Sequence, residues 1–207
     1  MPGTNQTGHV KRQRMTREDR YCQLLEVAWA LVGESGSDAL TLGRLAEQAG
    51  VTKPVVYDHF ATRPALFAAL YKDFDQRQTV RMDAAIALCE PTLYGVASIV
   101  ASSYVDCVLL QGQEIAGVIA ALSCTPDLEK IKREYEVIFL DKCQTWFSPF
   151  LQSGALSLSS LHAIVGCAES LSAAAARTEI SSWDAKQELV AVIVAVVQKA
   201  EGNALKS

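Results

Sequence analysis

Several features that would place this 207-residue chain in a well-marked class of protein are missing from it. The six cysteines lie far apart, at positions 22, 89, 107, 124, 143 and 167, and no two form a Cys-x-x-Cys pair. Such spacing is typical of buried thiols in a reducing compartment rather than of a disulfide framework. The longest unbroken apolar run, Leu189 to Val197, is much shorter than the ~20 residues that a membrane-spanning helix requires. Because Met1 to Thr16 also lacks the apolar segment of a secretory signal, we expect a cytoplasmic protein with no membrane partner.

The local motifs of catalysis and metal binding are missing as well. The chain contains no G-x-S-x-G, H-E-x-x-H, G-x-G-x-x-G or G-x-x-x-x-G-K-[ST] sequence. Its three histidines, His9, His59 and His162, lie in different segments, with no cysteine or acid at ligand spacing. We therefore expect neither an enzyme nor a resident metal or cofactor.

Positive charge is scarce overall but unevenly placed. The net charge is −4, yet residues 1–78 hold ten Lys and Arg against nine Asp and Glu, whereas the remainder holds nine against fourteen. The first seventeen residues contain Lys11, Arg12, Arg14 and Arg17 and no acid. A basic arm on an acidic protein indicates a polyanionic partner, although a solvated, disordered tail has the same composition. We predict a disordered basic arm over residues 1–15.

Helical periodicity runs through nearly the whole sequence. Apolar residues recur three and four positions apart, and no segment shows the alternation of a strand. Thr16, Thr41, Thr52 and Thr62 each precede an apolar-periodic segment as candidate N-caps. The pattern predicts an all-α protein of about nine helices, of which the first three are small.

The second and third of these helices have the spacing of a helix-turn-helix motif. Two helices joined by a short turn that contains Gly, here Ala49-Gly50-Val51, are typical of it, and the second helix of such a motif presents its first residues to the DNA major groove. Lys53 is suited to guanine or phosphate, Val55 and Pro54 to a thymine methyl, and Tyr57 to phosphate. The predicted DNA-binding residues are Thr41, Leu42, Thr52, Lys53, Pro54, Val55, Tyr57, His59 and Arg63. The alternative is that Tyr57, His59 and Phe60 are packing residues on a connector helix.

The residues that carry the motif also resemble a known family. The segments Leu40-Thr41-Leu42, Leu45-Ala46, Ala49-Gly50-Val51-Thr52, Val56-Tyr57 and His59-Phe60, with Arg63 and Leu66, are similar to the TetR family of bacterial transcriptional repressors. The resemblance covers Arg17 to Leu70, about a quarter of the chain. It implies a nine-helix homodimer with a DNA-binding domain over residues 16–62 and a ligand-binding and dimerisation domain over residues 63–207. Pro54, which has no N–H, and the acidic Asp58 depart from the family pattern and put individual DNA contacts in doubt.

The larger domain offers less specific signals. Aromatic and polar residues in its helices are candidates for a ligand pocket: Tyr104, Asp106, Tyr135, Phe139, Trp146, Phe147, His162 and Glu169. Such aromatics also serve as core, and such acids also face solvent. The apolar face formed by Val190, Ile193, Val194 and Val197 is predicted to be the dimer interface, through the last two helices.

These features together predict a ligand-responsive, DNA-binding transcriptional repressor. It would bind a near-palindromic operator in double-stranded DNA as a homodimer, and a small-molecule effector of unknown identity would release it. The alternative is a DNA-binding regulator without an effector, controlled by a partner protein or by cysteine oxidation.

Overall fold

The computed structural model describes residues 15–204, with gaps at 115, 124–125 and 153–154. Lys11, Arg12 and Arg14 of the predicted basic arm lie outside the described residues. Within the described ranges the chain is all-helical, as predicted. Its α-helices are α1 (Arg17–Ser35), α2 (Leu42–Gln48), α3 (Lys53–Tyr57), α4 (Arg63–Leu88), α5 (Leu93–Glu114), α6 (Ala116–Leu122), α7 (Pro126–Phe147), α8 (Leu158–Ala176) and α9 (Ser182–Ala204). Two short 3-10 turns, Ser37–Ala39 and Ser148–Phe150, were not predicted.

Threonine side chains fix three of the first four helix starts. Thr16 forms a reciprocal capping box with Asp19, Thr41 accepts from the Arg44 amide at 3.1 Å, and Thr62 accepts from the Ala65 amide at 3.2 Å. Thr52 occupies the N-cap position of α3, but its side chain makes no capping hydrogen bond. Three of the four predicted caps therefore operate through their side chains.

The turn between α2 and α3 depends on one glycine. Gly50 has a φ of +64°, in the left-handed region that favours glycine, and the next amide, Val51, donates to the Ala46 carbonyl at 3.0 Å. This reversal ends α2 and sets the direction in which α3 leaves the core.

The buried apolar residues form two cores. The first joins α1, α2 and α3 to the first half of α4 and to residues of α6 and α7, and the second joins α5, α8 and α9 to the end of α7. The boundary predicted between residues 62 and 63 lies at the first residue of α4, Arg63. However, Leu66, Phe67, Leu70 and Phe74 of α4 belong to the first core. Helix α4 is therefore shared between the two parts of the molecule.

Helix α5 contains the single described segment, Leu93–Leu110, that is long and apolar enough to cross a membrane by length and composition. That is weak evidence for a span, because core helices of globular proteins meet the same criteria. Val100, Ala101 and Val105 of α5 are buried in the second core. Its Asp106 carboxylate lies 2.6 Å from the Lys186 amine of α9.

Candidate nucleic-acid interface and central cavity

Helix α3 packs its apolar side against the first core. Val56 is fully buried and Phe60, just beyond the helix, is 2% exposed. The opposite side carries Lys53, Pro54 and Tyr57, which are exposed, and the Tyr57 side chain is 53% exposed. The buried residues thus anchor α3 to the first core, and its polar and cationic residues are exposed to solvent on the other side.

The start of α2 lies beside the Lys53 side chain. A Cβ atom added at Gly43 would lie 3.7 Å from Lys53 Cε and 3.9 Å from the Thr41 hydroxyl oxygen. Thr41, the N-cap of α2, and Lys53 of α3 are both predicted to bind DNA, and their side chains therefore lie close to the same glycine, Gly43. Leu42, also predicted, has a buried side chain, so its backbone amide is the group that remains for a contact.

A groove next to α3 brings in cations that the sequence analysis did not assign to this site. Arg17 and Arg20 of α1 line it together with Val55 and His59. Arg17 donates to the Asp58 carbonyl at 3.3 Å, and Arg20 donates to the Gln23 side-chain oxygen. The signal was available, because residues three apart at the start of a helix share a face.

His59 lies against the Tyr21 ring, with the ring centroids 6.0 Å apart. Burial lowers the pKa of His59, and the charges of Arg17 and Arg20 lower it further, against an opposing effect of Asp58. At neutral pH the imidazole is therefore uncharged, and any contact it makes is a neutral hydrogen bond.

The structure gives Arg63 a different set of partners from the predicted phosphate. Its guanidinium donates to the Leu40 carbonyl at 2.8 Å and to the Ser37 carbonyl at 2.9 Å, and it lies 4.6 Å from the centroid of the Phe67 ring. These bonds join the start of α4 to the 3-10 turn before α2. Arg63 therefore acts in this structure as an internal brace.

A cavity of about 300 Å³ lies among α4, α5, α7 and α8. Four of the predicted pocket residues line it: Tyr104, Tyr135, Phe139 and Glu169. The structure adds residues that the sequence analysis missed, among them Tyr71 and Asp75 of α4 and Glu136 of α7. Nothing in the local sequence marks Asp75 or Glu136, since only the packing of four helices turns them toward one space.

The other four predicted pocket residues lie elsewhere. Asp106 pairs with Lys186 of α9, and Phe147 is fully buried in the second core. Trp146 packs edge-on against Phe139 at 5.9 Å. His162 does not line the cavity, although its Nδ1 lies 3.6 Å from Glu136 Oε1. Helical periodicity placed these side chains on the right helices, but it did not distinguish the faces that the cavity uses.

The predicted dimer face also needs correction. Val190, Ile193 and Val197 are 5%, 0% and 0% exposed, because they pack within the second core of their own chain. Val194 is partly buried at the edge of that core. The exposed side of α9 carries Ala191 and Ala195 instead.

A short, exposed second helix of a helix-turn-helix unit, which carries Lys53 and lies beside Arg17 and Arg20, is the arrangement with which DNA-binding regulators meet the major groove. Residues 24–70 match the model of the bacterial regulatory proteins of the TetR family. Proteins of this family are transcription factors and not enzymes, in agreement with the prediction.

Similar proteins share part of the sequence or the fold. The transcriptional activator FasR of Mycolicibacterium smegmatis is 35% identical over 63 residues, which span 30% of this chain and 29% of the activator. A putative TetR-family regulator from Mesorhizobium loti has a TM-score of 0.65 at 16% identity, covering 89% of this chain and 98% of its own. The multidrug binding protein EbrR, solved in complex with imidazole, has a TM-score of 0.61 at 16% identity, covering 88% and 95%. At these identities the structural likeness establishes the fold alone.

Proposed function

We propose that this protein is a ligand-responsive transcriptional repressor that binds a near-palindromic operator as a homodimer and is released by a small molecule. The observation that carries the proposal is the exposed side of α3, where Lys53, Pro54 and Tyr57 stand beside Arg17 and Arg20 of α1. A cationic face around a short, well-anchored helix fits the width and charge of the major groove.

The contacts follow from the position of each side chain. Lys53, in the first turn of α3, donates to guanine or to a phosphate, and Tyr57 donates its exposed hydroxyl to a phosphate. The Thr52 hydroxyl is not used for capping and is available to the same strand. Pro54 and Val55 supply apolar contact to a thymine methyl.

Dimerisation places two such faces on one duplex. We assign the interface to the outward side of α8 and α9, where Gly166, Ala191 and Ala195 are small and exposed, and where a Cβ atom on Gly166 would meet nothing within 4 Å. Two copies joined there would set their α3 helices about one DNA turn (~34 Å) apart. Sedimentation should show a dimer that Ala195→Glu dissociates, whereas Val137→Glu, at an exposed apolar position of α7, leaves it intact.

Control by a ligand is supported by the shared helix α4. Tyr71 and Asp75 of α4 line the cavity, and the preceding turns of the same helix pack in the first core beneath α3. A ligand that binds best when the α3 spacing does not fit DNA would release the dimer, and a ligand without such a preference would have no effect. Release from an operator that overlaps a promoter relieves repression; the related FasR is called an activator, and a promoter-reporter assay measures the direction in this protein.

The test of DNA binding is a fluorescence-anisotropy titration on the DNA upstream of the chain's own coding sequence, at several salt concentrations. Lys53→Ala should weaken binding about fivefold or more and reduce the salt slope by ~0.9. Arg81→Ala removes an equal charge from an exposed position late in α4, outside both the α3 face and the proposed dimer interface, and should leave both quantities unchanged. No binding at micromolar protein, or equal effects of the two variants, would contradict the proposal.

A further inference from the structure

We propose that the central cavity takes an organic cation with an aromatic body, an amine or quaternary ammonium rather than a carboxylate, because its walls combine aromatic rings with three carboxylates from three different helices. This inference rests on the proposed function only in treating the cavity as the effector site. It adds the charge and shape of the ligand.

The aromatic side of the cavity provides the surface on which such a cation would rest. Tyr104 of α5 and Phe139 of α7 pack against each other as tilted rings, with centroids 5.1 Å apart, and Tyr71 and Tyr135 line the same space. Aromatic faces carry negative electrostatic potential and attract ammonium groups within about 6 Å of the ring centroid. The cavity volume of about 300 Å³ is at the small end of the range for ligand sites. It therefore suits a compact ligand of one or two rings.

The carboxylates supply a charge of one sign. Asp75 comes from α4, Glu136 from α7 and Glu169 from α8, and none of the described residues that line the cavity is Lys or Arg. The Nδ1 atom of His162, outside the cavity lining, lies 3.6 Å from Glu136 Oε1. Glu169 is exposed and stands at the open side, where it can meet an entering ligand. Like charges turned toward one space repel each other, and a bound cation relieves that repulsion.

The same carboxylates act on the tyrosines of the cavity wall. Burial raises the pKa of Tyr104 well above its ordinary value, and Glu169 leads the neighbouring charges that raise it further. Burial and then Asp75 raise the pKa of Tyr135 to about 12. The neighbouring negative groups all raise the pKa of these two phenols. The same groups would repel a carboxylate ligand and attract an ammonium.

The experiment compares three probes of similar shape on the full-length protein by isothermal titration calorimetry. They are benzyltrimethylammonium, its neutral carbon isostere neopentylbenzene, and the phenylacetate anion. We expect the cation to bind about tenfold or more tighter than the neutral isostere, as cation–π and charge attraction together allow, and phenylacetate to bind least.

Two variants locate the charge effect. Glu169→Gln keeps the shape of the side chain and should weaken the ammonium probe about three- to tenfold, with the neutral isostere unchanged. Asp106→Asn removes a carboxylate from the same helix as Tyr104, but outside the cavity, where it pairs with Lys186, and it should change neither affinity.

Preference for phenylacetate, equal binding of the cation and its neutral isostere, or no binding of any probe would overturn the inference. The DNA titration is read separately. Loss of DNA binding would remove the proposed function while leaving a measured cation preference intact. A cation preference that is absent in a protein that still binds DNA would remove this inference alone.

Discussion

The face around α3 and the cavity behind it carry opposite charges. Lys53 lies on α3 and Arg17 and Arg20 lie beside it, whereas Asp75 and Glu169 line the cavity. The net charge of −4 conceals this separation. A protein of acidic composition can approach DNA because the local field of one face, rather than the total charge, steers binding.

The two regions also differ in how they are built. We call α1, α2, α3 and the first turns of α4 the recognition unit, which comes from one continuous stretch of about 50 residues. Its helix starts, its turn glycine and its buried side depend on residues that are close to one another in the sequence. The cavity draws on four helices between Tyr71 and Glu169. Helix α4 runs from the recognition unit to the cavity, and the contact of α6 with the 3-10 turn at Ser37–Ala39 links the recognition unit to the larger part of the chain. The sharpest tests of the comparison are made at these two links.

The largest effect is expected at the contact between α6 and the 3-10 turn. A Cβ atom on Gly117 of α6 would overlap Ser37 Oγ and lie 2.9 Å from Ser37 Cβ, so Gly117→Val forces the two elements to shift apart. We predict a loss of ~1–3 kcal/mol in the free energy of unfolding, typical of overpacking. Denaturant unfolding measures it.

Two controls belong to this prediction. Gly33→Ala, in α1 with nothing within 4 Å, should leave stability equal or raise it by ~0.5–1 kcal/mol. Ser37→Gly, which removes the clashing atoms, should restore part of the stability lost in Gly117→Val. A fully stable Gly117→Val protein would mean that the 3-10 turn and α6 are not in contact. One of the two links between the recognition unit and the larger part of the chain would then be absent.

The effect of intermediate size is expected from Arg63→Ala, which distinguishes a structural role of Arg63 from a contact with DNA phosphate. Arg63→Ala removes two hydrogen bonds to the carbonyls of Leu40 and Ser37 and should cost ~0.5–1.5 kcal/mol of stability. The DNA affinity should then fall because α2 and α3 lose their position, with the salt slope unchanged. Lys53→Ala should do the reverse, reducing the slope by ~0.9 with little change in stability. A reduced salt slope in Arg63→Ala, with normal stability, would return Arg63 to the phosphate contact that its sequence position suggested.

Arg63 shows where sequence reasoning stops. The helix-turn-helix and the caps at Thr16, Thr41 and Thr62 were predictable, because each depends on residues within a few positions of one another. The partners of Arg63, 23 and 26 residues away, depend on how the 3-10 turn folds back onto α4. In the same way, the apolar stripe of α9 gave no sign that α5 and α8 of the same chain would cover Ile193 and Val197. Periodicity identifies an apolar face, but it does not say which surface covers it.

The smallest effect is expected from thiol chemistry, on which the alternative of oxidative control depends. Burial raises the pKa of Cys143 to about 12, and burial and then Asp75 raise that of Cys107 to about 12, so both thiols hold their protons at neutral pH and react slowly. The stability that this burial confers is present below the ordinary thiol pKa of about 9 and is lost as the pH rises toward 12. Among the described cysteines Cys22 alone is exposed. We therefore predict that alkylation at pH 8, followed by mass spectrometry, modifies Cys22 well before Cys107 or Cys143.

Peroxide treatment should correspondingly change DNA affinity by less than about twofold, in the native chain and in Cys22→Ser alike. Cys22 lies in a groove between α1 and α4, on the opposite side of α1 from the buried Leu24 and Ala28, so its oxidation leaves the support of α3 untouched. If peroxide released the native protein from DNA and spared Cys22→Ser, the recognition unit would contain its own switch. Control of DNA binding would then no longer require the acidic cavity. The proposal that one region binds DNA and the other controls it would be contradicted.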